Sequence, residues 1–180
     1  MKEKKKQSEL FEWIKAIFIA VSIALLIRGF LFAPIVVDGE SMESTLNDED
    51  RMIVSKIGKP ERFDIIVFHA TENKDYIKRV IGLPGDHIMY QNDMLYINGK
   101  AFEENYLDQN KKEFKEIFGE NELFTENFNL ENLGHKTVPK DTLFVLGDNR
   151  RYSKDSRHIN VIPIDKVVGK AQFVYWPLDK

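Results

Sequence analysis

The sequence predicts a mostly β fold, in which an N-terminal transmembrane helix precedes an antiparallel β-sheet domain with a small inserted α/β subdomain. One observation is an apolar run near the N-terminus that is long enough to cross a bilayer. Another is the series of short apolar runs that follows it, separated by turn residues, which is the pattern of strands. About 145 residues follow the apolar run, enough for one domain with its own core.

The predicted membrane helix spans residues 14–32, which carry only two charged side chains, Lys15 and Arg28. As a helix this segment is about 28 Å long, close to the hydrocarbon thickness of a bilayer. Both cations lie near its ends, where long side chains reach the interface. Trp13 falls at the headgroup level that tryptophan prefers. The segment therefore predicts a single anchor.

The distribution of cations predicts the orientation of this anchor. The N-terminal side carries five lysines, at positions 2, 4, 5, 6 and 15, whereas residues 33–52 contain only Arg51. Positive charge is retained on the cytoplasmic side of membrane helices. We therefore expect residues 1–13 in the cytoplasm and residues 33–180 outside the cell membrane.

Two other interpretations of the apolar run were weighed. A cleaved signal peptide needs small residues before the cut. Residues 30–32 are bulky, and Pro34 would follow a cut after Ala33; the small residues at 22–24 lie inside the apolar run. A buried helix of a soluble protein would have a polar face, which this run lacks. An uncleaved anchor fits best.

Eight strands are predicted after the anchor, beginning beyond Pro34, which breaks the helix. Asn92 and Asp93 form a two-residue hairpin turn between the fifth and sixth strands. The predicted strands are residues 35–37, 52–56, 65–68, 76–81, 87–91, 94–97, 143–146 and 167–176.

The predicted insertion covers residues 100–136. Its central part, residues 101–135, holds nine acidic residues against three lysines. A short helix is expected over residues 110–118, with Gly119 as its C-terminal stop. The charge of this segment is interpreted as a solvated surface without a partner.

Ser41 and Lys78 are the candidate nucleophile and base. A serine hydroxyl needs a base, and a lysine amine serves only when its pKa of about 10.4 is lowered towards neutrality, which takes about 4 kcal/mol. Strand alternation places Lys78 with Tyr76 and Val80 on one face, without a carboxylate. Alternation alone is more typical of a surface lysine, and an isolated serine in a polar turn is more often a turn or cap residue.

The polar stretch from residue 147 to residue 157 is the other candidate region. It suits either a solvent-facing loop or a scaffold of hydrogen bonds that supports a neighbouring site. Asp155 and Arg157 can form an ion pair, and Ser153 can orient another side chain. Gly39, two residues before Ser41, allows the backbone to approach a ligand closely.

Several function classes are disfavoured. The net charge of −3 is too mild for nucleic-acid binding, and the absence of cysteine removes thiol nucleophiles and Cys-ligated zinc. There is no zinc-binding His-Glu-x-x-His helix, no serine followed three residues later by lysine, and no second glycine of a nucleophile elbow. The four histidines are scattered, although a Ser-His arrangement stays open. No metal or cofactor is expected.

Four ordered segments behind an anchor resemble the bacterial type I signal peptidases. They are Ser41-Met42 with Thr45-Leu46, residues 62–68, residues 76–86 and residues 147–157. The resemblance implies a membrane-bound Ser/Lys endopeptidase that removes signal peptides from exported preproteins, after small side chains of the Ala-x-Ala type. The partners it implies are the lipid bilayer and preprotein signal peptides as substrate.

The resemblance also implies roles. Ser41 would attack the scissile carbonyl and contribute its N–H to the oxyanion hole, and Lys78 would be general base and then general acid. The implied supporting roles are Met42 packing beneath the nucleophile, Ser153 hydrogen-bonding the Lys78 amine, an Asp155–Arg157 salt bridge, and structural roles near the site for Arg79, Asp148 and Asn149.

Three positions depart from the family pattern. Gly39 stands where some members have a serine that donates to the oxyanion, so the hole would need backbone or water. Ser44 replaces a usual proline, which predicts a less rigid turn, and Phe63 replaces a usual glycine.

Two alternative functions compete with a signal peptidase. One is a self-cleaving repressor, which would carry a DNA-binding domain instead of an anchor. The other is a non-enzymatic membrane-tethered β module.

Overall fold

The structure is a computed structural model that describes residues 2–178, with side chains for residue 9 and residues 11–178. Met1, Asp179 and Lys180, which end the predicted segments, lie outside the described residues. So do the side chains of the lysines at positions 2, 4, 5 and 6, on which the predicted orientation depends.

Helix α1 (Lys2–Phe30) contains residues 14–30 of the predicted anchor, whereas Leu31 lies in a turn and Phe32 begins the first strand. Its stretch from Phe11 to Phe30 is long and apolar enough to cross a membrane, and none of that stretch is buried against the rest of the protein. Only the length and composition of the helix support a membrane span, and a signal sequence has the same two properties. The helix starts earlier than the predicted apolar run because the charged N-terminal residues are also helical.

Eleven strands and two further helices follow. The strands are β1 (Phe32–Val36), β2 (Arg51–Ser55), β3 (Ile65–Thr71), β4 (Lys74–Gly82), β5 (Ile88–Gln91), β6 (Met94–Ile97), β7 (Lys100–Phe102), β8 (Phe128–Asn129), β9 (Thr142–Leu146), β10 (Ile162–Pro163) and β11 (Val167–Trp176). The helices are α2 (Asp108–Phe118) and α3 (Ser156–Ile159), and short 3-10 turns begin at Asn105, Leu130 and Ile164.

The strands form two antiparallel sheets. The larger has the order β1-β2-β11-β3-β4-β9-β10, and the smaller has the order β7-β6-β5-β8. β5 and β6, which precede the predicted insertion, therefore pair with β7 and β8, which lie inside it. The sheets share a core, in which the ring of Phe144 from β9 stacks on Phe128 from β8 at 5.5 Å between centroids.

The predicted mostly β architecture is confirmed. All eight predicted strands, the hairpin turn and the helix are present within a few residues of their predicted bounds. β7, β8, β10 and α3 were missed because segments of two to four residues are too short to show periodicity. The predicted loop after β9 is thus interrupted by a helical turn at Ser156–Ile159.

Sheet register sets the position of Lys78. β4 lies between β3 and β9, with Ile66 opposite Lys78 on one side and Leu146 opposite Arg79 on the other. A strand paired on both sides is held along its whole length, so consecutive side chains are fixed on opposite faces. Lys78 therefore points to one face of the larger sheet and Arg79 to the other.

Candidate active site

The Lys78 amine is in contact with the Ser41 hydroxyl. Lys78 Nζ donates a hydrogen bond to Ser41 Oγ at 2.7 Å and another to the Ile77 carbonyl at 2.8 Å, and it lies 5.2 Å from the centre of the Tyr76 ring. The lysine is only 3% exposed. The surface interpretation that strand alternation favoured is therefore wrong, because the turn that carries Ser41 folds over this face of β4.

Burial changes the protonation of this amine. Loss of hydration lowers the pKa of Lys78 from 10.5 to about 8, although the negative charges of Asp155 and Asp148 oppose the change. A difference of this size corresponds to about 3 kcal/mol against the ammonium form. Each of those carboxylates is already paired with an arginine, which weakens its effect on the amine. Lys78 can therefore accept a proton near neutral pH.

The turn after β1 holds Ser41 in place. Its N-terminal half is tied back by the Gly39 N–H, which donates to Asp48 Oδ1 at 2.7 Å, and Gly39 has φ = +95°, which suits glycine. Met42 is buried in an apolar cluster with Val37 and Met52. The apolar cluster around Met42 therefore supports the turn that carries the Ser41 hydroxyl. In the part of the chain that the structure describes, the Ser41 N–H has no hydrogen-bond acceptor.

The loop after β9 closes against this turn. Asn149 donates its backbone N–H to the Ser41 carbonyl at 3.1 Å and its side-chain amide to the Glu40 carbonyl at 3.1 Å. Gly147 makes the approach possible, because a Cβ atom there would overlap both the Ser41 carbonyl oxygen and the Ser153 hydroxyl. Asn149 and Gly147 therefore bear directly on the position of the serine.

Two buried carboxylates brace the same loop. Asp148 pairs with Arg79, at 2.9 Å from Nε to Oδ1, so the face of β4 opposite Lys78 is tied to the loop. Asp155 pairs with Arg157 at 2.8 Å and accepts the Gly147 N–H at 3.0 Å. Burial alone would raise the pKa of Asp155, but the hydrogen bonds and charge of Arg157 hold it below its usual value.

Ser153 does not make the expected hydrogen bond to Lys78. Its hydroxyl is buried and, among residues 2–178, has no well-aligned partner, although it lies near enough to Asp155 to help lower the pKa of that carboxyl. Lys78 Nζ instead uses two of its donors on Ser41 and the Ile77 carbonyl. The structure thus places Ser153 beside the dyad without joining it to the amine.

Asn110, at the start of α2, is a site residue that the sequence did not reveal. Its Oδ1 accepts hydrogen bonds from the Ser44 hydroxyl at 2.7 Å and the Ser44 N–H at 3.2 Å, while its amide donates to the Glu43 carbonyl. The turn expected to be less rigid at Ser44 is therefore held by a side chain 66 residues away. No local pattern signals a contact of that separation.

Arg150 and Glu104 form a second unpredicted contact. Both are buried, and Arg150 Nη2 lies 2.7 Å from Glu104 Oε1, with the Tyr90 hydroxyl 3.0 Å from Nη1. The charge of the segment from 101 to 135 is therefore not all solvated, because Glu104 neutralises a loop cation. The polar loop is likewise not solvent-facing as a whole: Asp148, Arg150, Asp155 and Ser156 are buried.

Three of the four histidines have side-chain partners other than Ser41. His69 pairs with Asp75 at 2.6 Å, His135 contacts Asn160 at 3.0 Å, and His158 lies 4.0 Å from Asp155. Within residues 2–178, Ser41 Oγ therefore has a lysine rather than a histidine as its hydrogen-bond partner. Among these same residues, no group of three or more His, Cys, Asp or Glu side chains could hold a metal ion.

A cleft of about 590 Å³ leads to the dyad. One wall is the chain from Pro34 to Met42, and the other is the chain from Asn73 to Lys78. Tyr152 and Lys154 lie at its end. Because each wall contains an extended segment, from β1 on one side and from β4 on the other, the cleft is shaped to hold an extended peptide between them.

The sequence matches known proteins over nearly its whole length. Residues 10–176 match the family described as "Signal peptidase, peptidase S26". Signal peptidase I from Bacillus caldolyticus is 46% identical over 181 residues, covering 98% of this chain and 94% of that protein. Signal peptidase IB from Staphylococcus aureus is 40% identical over 183 residues, covering 97% and 93%.

A solved structure agrees as well. The crystal structure of a signal peptidase I from Enterococcus faecalis V583 superposes with a TM-score of 0.60 at 42% sequence identity. The match covers 64% of this chain and 99% of that one. The likeness extends to both sequence and fold.

Proposed function

Because the chain belongs to the signal peptidase family, peptidase S26, we propose that it is a membrane-bound serine endopeptidase that removes signal peptides from exported preproteins. Ser41 is its nucleophile and Lys78 its general base. The observation that carries this proposal is the 2.7 Å hydrogen bond between the Ser41 hydroxyl and a buried amine. The lowered pKa of about 8 for Lys78 supports it.

The chemistry follows from that contact. With Lys78 neutral, Nζ takes the proton of Ser41 Oγ as the oxygen attacks the scissile carbonyl. Collapse of the tetrahedral intermediate transfers that proton to the leaving amine and leaves an acyl-serine. Lys78 then takes a proton from water, which attacks the ester, and returns it to Ser41. The Ser41 N–H donates to the oxyanion in both steps.

The surrounding residues hold Ser41 and Lys78 in position to react. Met42 supports the nucleophile from below, and Gly39 leaves room for substrate backbone beside it. Asp148 with Arg79, and Asp155 with Arg157, pin the loop whose Asn149 holds the Ser41 carbonyl. Ser153 packs beside the dyad as part of the low-dielectric wall that keeps the amine dehydrated.

The anchor gives the enzyme its substrate class. Residues 14–30, the helical part of the predicted anchor, span the membrane with residues 1–13 in the cytoplasm, and the residues from Phe32 onward form the extracytoplasmic peptidase. β1 begins two residues after α1 ends, so the cleft starts close to the bilayer. A preprotein whose apolar segment lies in the same bilayer is thereby held at high effective concentration. Membership of the family implies small side chains before the scissile bond.

The test uses the full chain in detergent with a radiolabelled preprotein. Wild type is expected to release the signal peptide, whereas Ser41→Ala and Lys78→Ala leave the preprotein intact while keeping the wild-type circular dichroism spectrum. Edman sequencing of the product locates the cut. A wild type as inert as both variants would indicate a binding module, and the proposal would fail.

A further inference from the structure

A second groove adjoins the cleft on the far side of Ser41. It has a volume of about 460 Å³ and lies between the turn from Glu40 to Asn47 and helix α2. Glu40 and Tyr152 line both the cleft and the groove, so the two are continuous past the nucleophile. Asn110 and Asn149, which hold the Ser41 turn, also line this groove, whereas its three glutamates have no part in the chemistry described above.

The position of the anchor sets the direction of a bound substrate. The cleft starts at Pro34, next to the end of α1, and reaches Ser41 at its other end. A substrate whose apolar segment lies in the bilayer enters from the anchor side, so the residues before the scissile bond occupy the cleft. The chain beyond that bond then passes between Glu40 and Tyr152 into the groove.

The groove is negatively charged. Glu40, Glu43 and Glu113 line it, and none of them has an ion-pair partner among the residues that the structure describes. Its lining cation, Arg151, is already paired with Glu126 at 3.0 Å. Three carboxylates therefore face the groove without compensation.

The electrostatics of Glu43 agree with that description. Partial burial raises its pKa first, and the negative charges of Glu40, Asp48 and Glu113 raise it further. Carboxylates that repel one another in this way are stabilised by any cation that enters between them. The site therefore favours a positive charge.

The wall of the groove that α2 forms has apolar surface beside Glu113. α2 contributes Phe114, Ile117 and Phe118, and the last two are largely exposed to solvent. A lysine or arginine side chain matches this combination, because its methylene stem can lie on apolar surface while its charged end reaches a carboxylate. A purely apolar residue would contact the apolar side chains but leave the carboxylates without a cation. An acidic residue would be repelled by the carboxylates.

We propose that this groove binds the first residues of the substrate after the scissile bond and selects a lysine or arginine there. The inference rests on the proposed function, since it assumes a peptide cleaved at Ser41. It assigns a specificity role to Glu43 and Glu113, which touch neither Lys78 nor Ser41.

The experiment compares two peptide substrates that differ only in the second and third residues after the cleavage site, which are both lysine or both glutamate. The full-length wild type is assayed in detergent. For each carboxylate that contacts a lysine, kcat/KM is expected to be about two- to fivefold higher for the lysine peptide than for the glutamate peptide. The preference should decline as salt is added. The double variant Glu43→Gln/Glu113→Gln should cleave both peptides equally.

The control is Glu116→Gln, which removes the same kind of charge from α2 at a position paired with Lys112, outside the groove lining. It should keep the preference. Fluorescence anisotropy measures the binding of both peptides to the Ser41→Ala variant. This measurement determines charge selectivity even without turnover. Equal kcat/KM values for wild type, or a preference that survives in the double variant, would overturn the inference. Selective binding without wild-type cleavage would refute the proposed function alone.

Discussion

Lys78 and Arg150 are two buried cations whose pKa values are shifted in opposite directions. Their exposed fractions are 3% and 2%, so both have lost nearly all their hydration. Arg150 lies against Glu104 and the hydroxyls of Tyr90 and Tyr106, and although burial opposes its charge, those groups hold its pKa above the ordinary value. Lys78 contacts a hydroxyl and a carbonyl, and its pKa falls to about 8.

The difference shows that burial alone does not decide what a cation does. A compensated guanidinium stays charged and joins the loop after β9 to the second sheet, which stabilises the fold. An uncompensated amine becomes titratable near neutral pH, which makes it a base at a cost in stability. Arg150, in the loop after β9, has the structural role, and Lys78, in the middle of β4, has the chemical one. The predictions that follow test that division.

The largest effect is expected from Lys78→Arg, which makes the catalytic cation resemble the structural one. A guanidinium does not deprotonate in proteins, so it cannot accept the serine proton. We expect kcat/KM on a preprotein to fall by about 1,000-fold or more. Arg79→Lys on the opposite face of β4 is the matched control and should keep more activity. An active Lys78→Arg enzyme would show that Lys78 is not the base.

Arg150→Ala should produce the largest loss of stability. It leaves the Glu104 carboxylate buried without its partner, a change that costs about 3–5 kcal/mol in free energy of unfolding. Urea unfolding followed by tryptophan fluorescence measures it. The matched variant Arg151→Ala, at an exposed ion pair, should cost less than about 1 kcal/mol. Equal losses in the two variants would contradict the structural role of the buried pair.

Lys78→Met should raise stability while abolishing activity. The wild type loses stability by keeping a buried ammonium below pH 8, and it recovers this between pH 8 and 10.5, where the unfolded chain binds more protons. The variant is therefore expected to be about 1–3 kcal/mol more stable at pH 6, with the difference shrinking as pH rises to about 10.5. Denaturant midpoints at several pH values measure this; a difference independent of pH would refute it.

The same lowered pKa predicts the pH dependence of catalysis. Below about pH 8 the wild-type rate should rise tenfold per pH unit, because the neutral fraction of Lys78 rises in that proportion, and it should level off above. Initial rates on a short peptide give the profile. Replacing His69 or His158 should leave the midpoint unchanged, whereas a profile with a midpoint near 6.5 that vanished with either histidine would point to a different base.

The smallest effect is expected at the Ser41 turn. Asn110→Ala removes the hydrogen bonds to Ser44 and the Glu43 carbonyl, so we expect kcat to fall about five- to tenfold with little change in KM. Lys112→Ala, two residues further along α2 and on its exposed face, is the control. The cycle with Ser44→Ala tests coupling directly: strictly additive losses would mean that Asn110 does not act through this turn.

Much of the fold follows from local sequence. The apolar run, the alternating strands and the Asn92-Asp93 turn each carry their signal within a few residues, so their elements are predicted with nearly the observed bounds. The positions of Ser41 and Lys78 were also identified in advance, because their surrounding segments resemble a known family. Strand alternation correctly separated Lys78 from Arg79.

What the chain alone determined is therefore the longer elements, the apolar N-terminal helix and the residue types available for chemistry. The tertiary structure decided which polar groups are buried together: Lys78 with Ser41, Arg150 with Glu104, and Asn110 with Ser44. Desolvation depends on every chain segment that packs around a group, and the partners here are 37 to 66 residues apart. No local pattern contains that information, so the pKa of the amine is a property of the folded molecule.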